Sequence, residues 1–145
     1  MSINFVNSSP NFKCTVTKKT YTVRGNVNCN VIFVIYLVTC TNCKEQYVGS
    51  TNKFKPRVRG HKSDNKHNKT FCGVAKHFNE RCKHPQLGAN GYFSIQIIEV
   101  VPNHLRNDFH MLRREQYWHA QMFVITHGMN STDDWFSSER KGHRK

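Results

Sequence analysis

The first residue suited to chemistry is an acid on the apolar side of a predicted helix. Glu115 lies three residues after Leu112 and three before Trp118, so a helix directs its carboxylate toward the core. Burying an ionised carboxylate is costly unless it is paired or bound to a metal. We therefore expect either a salt bridge from Glu115 to Arg113 or Arg114, or a site for a hard cation.

A second candidate is a cation and an imidazole at helical spacing. Arg57 and His61 are four residues apart, which places a permanent charge beside a titratable ring on one helix face. The pair suits phosphate chemistry, and the alternative is a solvated basic face. Pro56 precedes Arg57, and proline is compatible only with a first helical turn. The surrounding basic residues that we assign to nucleic-acid binding are Lys53, Lys55, Arg59 and Lys62.

Two tyrosines, Tyr36 and Tyr47, lie in neighbouring predicted strands among apolar residues. A tyrosine in a strand most often packs its ring and leaves its hydroxyl at the rim of the sheet. Taken alone, these tyrosines indicate packing rather than chemistry.

The cysteines offer a metal site. Cys40 and Cys43 are spaced as one half of a zinc knuckle, and His77, Cys82 and His84 follow the next predicted helix. We predict a structural zinc ion bound by Cys40, Cys43, His77 and His84, with Cys82 as the alternate ligand. Unligated thiols are the main alternative. Disulfides are a lesser one, since no export signal is apparent.

Three strands and three helices must position these residues. We predict strands at 30–40, 45–49 and 92–101, the first two forming a hairpin whose turn carries the cysteine pair. Helices are predicted near 53–62, 71–78 and 104–123, with a loop at 64–69. A short edge strand is predicted within 20–25, after a loose first dozen residues. The buried stripe predicted for the last helix is Leu105, Phe109, Leu112, Trp118 and Met122.

Length and charge limit the classes of function. The 145 residues suit one domain, and 37% hydrophobic content excludes a fully disordered chain. Lys and Arg number 22 against nine Asp and Glu, a net charge of +13 that favours polyanionic partners. The longest apolar run, 31–38, is too short to cross a bilayer. We expect a soluble, intracellular protein, with the nucleus as an open alternative.

The motifs together resemble a known family. Val34-Ile35-Tyr36, followed after ten residues by Tyr47-Val48-Gly49, resembles the paired signature of the GIY-YIG nuclease superfamily. Within it, the chain most resembles the endonuclease domain of Penelope-like retroelements. That second likeness rests on the cysteine pair, the run Arg59 to Asp64, His77-Phe78 and the helix segment Glu115 to Trp118. The remaining family positions, in order, are matched by Arg57, His61, Glu115 and Asn130.

The resemblance implies a fold and a reaction. It implies an α+β fold with a small three-stranded, mainly antiparallel sheet flanked by helices, over residues 31–130. From composition we expect residues 1–30 to form an N-terminal extension with a possible edge strand, and 131–145 a basic, flexible tail. The implied activity is metal-dependent hydrolysis of DNA, nicking one strand, of the type found in mobile genetic elements. The implied catalytic residues are Tyr36, Tyr47, Arg57, His61, Glu115 and Asn130.

The same likeness implies the cofactors and partners. Glu115 is expected to hold Mg²⁺ or Mn²⁺, beside the structural zinc, while no membrane and no small-molecule cofactor is expected. Tyr36 is the expected proton acceptor or relay. The oligomeric state stays open. The alternatives are a catalytically inactive, zinc-stapled nucleic-acid-binding module and a small zinc-structured interaction protein.

Overall fold

The computed structural model describes residues 9–28 and 30–135. The described elements, in chain order, are β1 (Asn11–Lys13), β2 (Thr20–Thr22), β3 (Ile32–Cys40), β4 (Gln46–Lys53), α1 (Phe54–Lys66), α2 (Gly73–Glu80), β5 (Phe93–Val100), α3 (Asp108–Met122) and α4 (Val124–His127). Short 3₁₀ turns at Asn103–Leu105 and Thr132–Trp135 flank the last two helices.

The central feature is a three-stranded antiparallel sheet in the order β4-β3-β5. β3 is rich in β-branched and aromatic residues and is buried on both faces, as suits a central strand. Tyr36 faces Gly49 of β4 and Ile97 of β5, and Val38 faces Tyr47. The predicted α+β class with a small, mainly antiparallel sheet is confirmed.

Alternation along β3 assigns the helices to two faces of the sheet. Val34, Tyr36 and Val38 belong to a core shared with α1 and α2. Ile35 and Leu37 face the opposite way, into a core shared with α3. The sheet therefore separates two hydrophobic cores.

Helix α1 carries Pro56 in its first turn, where the missing N–H has no helical partner to lose. Arg57 and His61 therefore share one face of a continuous helix. The helix extends to Lys66, past the predicted start of a loop at 64. It continues because Asn65 is buried and donates to Oδ1 of Asn90 at 2.8 Å, a tertiary contact that local sequence does not reveal.

The buried stripe of α3 differs from the predicted one. It comprises Met111, Glu115, Trp118, His119 and Met122. Phe109 is 70% exposed, and its ring lies against the Arg113 guanidinium. The prediction was wrong at Phe109 because the helix begins only at Asp108, capped by Asn107. Leu105 lies in the preceding 3₁₀ turn, so its position does not predict which helix face is buried.

Within residues 9–28 and 30–135, none of the helices combines the length and the hydrophobicity that a membrane span requires.

The N-terminal segment packs on the α3 side of the sheet. β1 and β2 pair with each other, in a separate two-stranded sheet. Phe12 is buried, with its ring centroid 5.1 Å from that of Trp118 and 5.6 Å from that of Tyr21. The expectation that the first dozen residues are loose is therefore wrong for 11 and 12, which belong to β1, while 1–8 lie outside the described residues. Of the segment 131–145, which was expected to be a flexible tail, residues 132–135 form a 3₁₀ turn. Residues 136–145 lie outside the described residues.

Candidate active site

The site is organised around the hydroxyl of Tyr36, which lies 2.7 Å from Nε2 of His61. Tyr36 is 1% exposed and projects from the middle of β3 toward α1. A Cβ atom on Gly49, its partner across the ladder, would collide with the Tyr36 hydroxyl and ring. Glycine at position 49 is therefore what lets the phenol lie across β4 and reach α1.

Tyr47 completes an aromatic frame around the imidazole. Its ring centroid lies 6.3 Å from that of Tyr36 and 5.7 Å from that of His61, and Tyr47 is buried. The predicted pair of tyrosines thus meets at one histidine, rather than leaving two hydroxyls at the rim.

Arg57 lies on the same face of α1 as His61 and hydrogen-bonds the Tyr36 hydroxyl. Since a guanidinium only donates, the phenol oxygen accepts from Arg57 and its own proton is directed to Nε2 of His61. Burial acts to lower the pKa of Arg57, but the interactions with Tyr36 and Tyr47, including the hydrogen bond to the Tyr36 hydroxyl, raise it overall. The site therefore holds one permanent positive charge beside the phenol.

Burial keeps both tyrosines protonated. Desolvation raises the pKa of Tyr36 to about 12, although the Arg57 charge acts in the opposite direction. Desolvation also raises the pKa of Tyr47 well above its usual value. Tyr36 is consequently a neutral phenol at physiological pH, suited to relaying a proton rather than storing a negative charge.

Glu115 reaches this site from α3, on the other side of β4. It is 2% exposed, its Oε1 accepts from the Ser50 hydroxyl at 2.6 Å, and Oε2 lies 3.4 Å from Nε2 of His119. Its charge raises the pKa values of both Tyr36 and Tyr47, so the carboxylate acts on the same site.

The expected alternative, a salt bridge from Glu115 to Arg113 or Arg114, is not what the described part of the chain forms. Arg114 instead makes a bidentate contact with Glu99 on β5, at 2.8 and 2.9 Å. Arg113 lies over the ring of Phe109. Within the described residues, neither arginine pairs with Glu115 because both side chains project from other faces of α3 than the buried face that carries Glu115.

Asn130 braces β4. Its Oδ1 accepts from the amide of Val48 at 2.7 Å, and its Nδ2 donates to the carbonyl of the same residue at 3.0 Å. Nδ2 also donates to Oδ2 of Asp134. These contacts position the strand between Tyr47 and Gly49, while a direct catalytic role for Asn130 stays a prediction.

The order and geometry of these residues can be compared with known proteins. The model of the family described as the GIY-YIG catalytic domain matches residues 32–122. The chain belongs to the GIY-YIG family. Among solved structures, it is similar to the catalytic domain of homing endonuclease I-TevI, with a TM-score of 0.54 and 21% identity. That likeness covers 68% of this chain and 96% of the other, and it supports the fold. No curated protein matches the chain.

This GIY-YIG domain carries a second cluster at the far end of the hairpin. The ligand atoms of Cys40, Cys43, His77 and Cys82 all lie within 4.8 Å of one another. Tetrahedral zinc, with Zn–S near 2.3 Å, separates two thiolates by roughly 3.8 Å, so the atoms are close enough to share one ion. The donor set of three thiolates and one imidazole is one that structural zinc prefers.

The cluster also has outer contacts of the kind that orient metal ligands. Nε2 of His77 points at Cys43, 3.3 Å away, while Nδ1 lies 3.7 Å from the carboxylate of Glu45. The Asn42 amide donates to the sulfur of Cys82 at 3.6 Å. Burial raises the pKa of the Cys43 thiol to about 12 when no metal is bound.

The expected ligand His84 lies outside the cluster, and the alternate, Cys82, takes its place. Nδ1 of His84 accepts from the amides of Gln86 and Leu87 in its own turn, and its ring packs on Tyr92. Backbone amides of that turn therefore occupy Nδ1 of His84 and hold the imidazole ring in place. The five cysteines in the described ranges are free thiols, which disfavours the disulfide alternative there.

The predicted nucleic-acid residues lie on or just before α1. Lys53 and Arg59 are exposed, and Lys55 and Lys62 are half-buried. Because Arg57 and His61 occupy the inner face of the same helix, the basic outer residues lie beside the buried site.

Three contributors were missed by sequence reasoning: Ser50, His119 and Trp135. His119 follows Glu115 by four residues, so the spacing rule applied to Arg57 and His61 would have found it. Ser50 and Trp135 carry no comparable signal, because their contacts span 65 and 16 residues of sequence.

Proposed function

We propose that this chain is a metal-dependent DNA endonuclease that hydrolyses phosphodiester bonds and nicks one strand at a time. The observation that carries the proposal is the Tyr36 hydroxyl, bonded to both Arg57 and His61 and subject to the charge of Glu115. This combination supplies a proton relay, a fixed cation and an acid in one site.

The acid fits a hard divalent ion. Glu115 offers carboxylate oxygen, the ligand type that Mg²⁺ and Mn²⁺ prefer, and Ser50 donates to one oxygen, fixing the carboxylate. Mg²⁺ commonly takes only one or two protein carboxylates, the rest of its shell being water and phosphate. When bound, such an ion stabilises charge on the scissile phosphate.

The proton path follows from the hydrogen bonds. The phenol oxygen of Tyr36 takes a proton from the attacking water while its own proton passes to Nε2 of His61, 2.7 Å away. Because the pKa of Tyr36 is raised to about 12, the two transfers must be coupled, and no free phenolate accumulates. Tyr47 keeps the imidazole in place by packing against it.

Arg57 stabilises the transition state. Attack on a phosphodiester concentrates negative charge on the phosphoryl oxygens, and a guanidinium donates two hydrogen bonds to such oxygens. Arg57 is held by the Tyr36 hydroxyl and by its place on α1, so it needs little reorganisation when the phosphate arrives.

Substrate binding is assigned to the basic residues of the α1 surface, Lys53, Lys55, Arg59 and Lys62. A net charge of +13 supports salt-sensitive, sequence-tolerant contacts with phosphates. One site acting on one strand supports nicking, with double-strand breaks only after a second binding event.

The cysteine cluster supports a structural zinc ion. Cys40 and Cys43 belong to the hairpin that carries Tyr36 and Tyr47, while His77 and Cys82 belong to α2 and its end. One ion would join these elements without taking part in the reaction. The cysteine pair and His77 are also part of the sequence resemblance to Penelope-like elements, together with the run Arg59 to Asp64 and the segment Glu115 to Trp118, and that resemblance supports an origin in mobile DNA.

The test compares cleavage with binding. Supercoiled plasmid is incubated with the zinc-loaded full chain and its Glu115→Ala variant, with Mg²⁺, Mn²⁺ or EDTA, and binding to a short duplex is measured in parallel. We expect nicked circles only from the unmodified chain with Mg²⁺ or Mn²⁺, and equal binding by both proteins. Binding without nicking under every metal condition would instead support the catalytically inactive binding module.

A further inference from the structure

His119 is a buried residue with a defined contact at each ring nitrogen. Nε2 lies 3.0 Å from the carbonyl oxygen of Val48 and 3.4 Å from Oε2 of Glu115. Nδ1 lies 2.8 Å from Nε1 of Trp135, and the two rings stack at 6.2 Å with an interplanar angle of 16°. The imidazole therefore joins α3, β4 and the C-terminal 3₁₀ turn.

These contacts determine where the proton of the ring sits. An indole N–H only donates, so Nδ1 of His119 must accept from Trp135. The ring proton is then on Nε2, which donates to the Val48 carbonyl at 3.0 Å and lies 3.4 Å from Oε2 of Glu115. Trp135 thus selects the tautomer whose N–H lies beside the acid.

The position of Trp135 is itself fixed from the active-site side. Asp134, its neighbour in the turn, accepts from the side chain of Asn130 and from the amide of Ser131. Asn130 in turn hydrogen-bonds the backbone amide and carbonyl of Val48. The same carbonyl accepts a hydrogen bond from Nε2 of His119. The turn Thr132–Trp135 and β4 are therefore braced through two separate paths that end at Val48.

We infer that Trp135 and His119 are positioning residues that orient the Glu115 carboxylate for metal binding. The inference rests on the proposed function of Glu115. Ser50 donates to Oε1 and His119 lies at Oε2, so the carboxylate is held from both sides. Trp135 lies beyond the stretch 32–122 matched by the family model. Outer-shell partners of this kind govern ligand geometry in metal sites.

The test measures Mn²⁺ affinity of the zinc-loaded full chain by electron paramagnetic resonance, with Glu115→Ala as the reference for binding elsewhere. We expect His119→Ala to weaken binding by about 10- to 100-fold, as is typical of an outer-shell partner. His119→Gln keeps an N–H donor near the Nε2 position and should retain affinity within about threefold. Trp135→Phe keeps the stacked ring and should weaken binding by about three- to tenfold.

Two comparisons separate positioning from general destabilisation. Trp118→Phe removes another buried indole hydrogen bond from α3, the one to Glu99, and should leave Mn²⁺ affinity within about twofold. Trp135→Phe should have no effect in the His119→Gln background, because the tautomer it selects no longer exists. An equal loss in both backgrounds would overturn the inference.

A measurement on the unmodified protein does not depend on folding of any variant. ¹⁵N shifts of His119 should show a protonated Nε2 and an unprotonated Nδ1, and the opposite tautomer would overturn this inference alone. If Glu115→Ala binds Mn²⁺ as tightly as the unmodified chain, the metal role of Glu115 fails, and the inference fails with it.

Discussion

The hydroxyl of Tyr36 donates to Nε2 of His61 at 2.7 Å, and both side chains are buried in the core between β3 and α1. The phenol comes from a hydrophobic strand and the imidazole from a basic helix. In the proposed reaction this pair is the proton relay.

Removing either member of this pair should stop the proton relay. We expect Tyr36→Phe and His61→Ala each to lower the single-turnover nicking rate by about 10²- to 10⁴-fold, the range of a general acid–base contribution. The double variant should be no slower than the worse single variant, because the two groups act as one unit. Tyr21→Phe, which removes a hydroxyl bonded to Gln121, is the control and should keep the normal rate. Additive losses would contradict the relay.

The raised pKa of Tyr36 has a spectroscopic consequence. Phenolate absorbance near 295 nm, taken as the difference between the unmodified chain and Tyr36→Phe, should be absent at pH 9 and rise with a midpoint near 12. A midpoint near 10 would show that the phenol is not desolvated.

The same shift predicts how stability depends on pH. The folded pKa lies above the value of 10 in the unfolded chain, so the contribution of Tyr36 is fully present below pH 10. It is lost as pH rises from 10 toward 12, to a total of about 3 kcal/mol. Urea denaturation at pH 9 and pH 11 measures the loss, which should be smaller in Tyr36→Phe.

The metal cluster predicts which ligand substitution releases zinc. Cys82→Ser should lower zinc affinity by at least about 100-fold and reduce the melting temperature, because in the proposed site the ion would join the hairpin to α2. His84→Ala should bind one zinc ion with normal affinity, since its Nδ1 is used by its own turn. Zinc content and competition with a chelator dye measure both. Loss of zinc from His84→Ala alone would reverse the assignment.

The basic surface predicts a change in salt dependence. Lys53→Ala combined with Arg59→Ala should reduce the slope of log binding constant against log salt by about 2, roughly 0.9 for each lost phosphate contact. Lys13→Ala combined with Lys19→Ala is the matched control. That segment packs on the opposite face of the sheet from α1, so its slope should not change.

The sequence revealed more of the fold than of the contacts within the site. Alternation and helical spacing located β3, β4, β5 and the inward direction of Glu115, because those patterns record burial directly. They placed Trp118 and Met122 correctly but misplaced the first part of the α3 stripe, at Phe109, because the helix begins only after the cap at Asn107. They also could not distinguish Cys82 from His84, because that choice depends on a turn in which backbone amides use the imidazole nitrogen.

The partners of the acid were the least predictable part. Ser50 and Trp135 act through contacts distant in sequence, and the pairing of Arg114 with Glu99 depends on how α3 lies across β5. Each of these contacts depends on how distant elements pack together, which no local sequence pattern encodes. The ordered motifs from Tyr36 to Glu115 nevertheless indicated the family before any of these contacts was known.

The most direct test of the account is the rate at which the zinc-loaded full chain converts supercoiled plasmid to nicked circles under single-turnover conditions in Mn²⁺. Glu115→Gln removes the charge but keeps the size of the side chain and an oxygen that accepts from Ser50. We expect the variant to bind DNA normally and to nick at least about 10³-fold more slowly, as follows when the metal-holding acid is lost. Nicking by Glu115→Gln at the rate of the unmodified chain would contradict the proposal that this buried acid, with Tyr36, Arg57 and His61, cuts DNA.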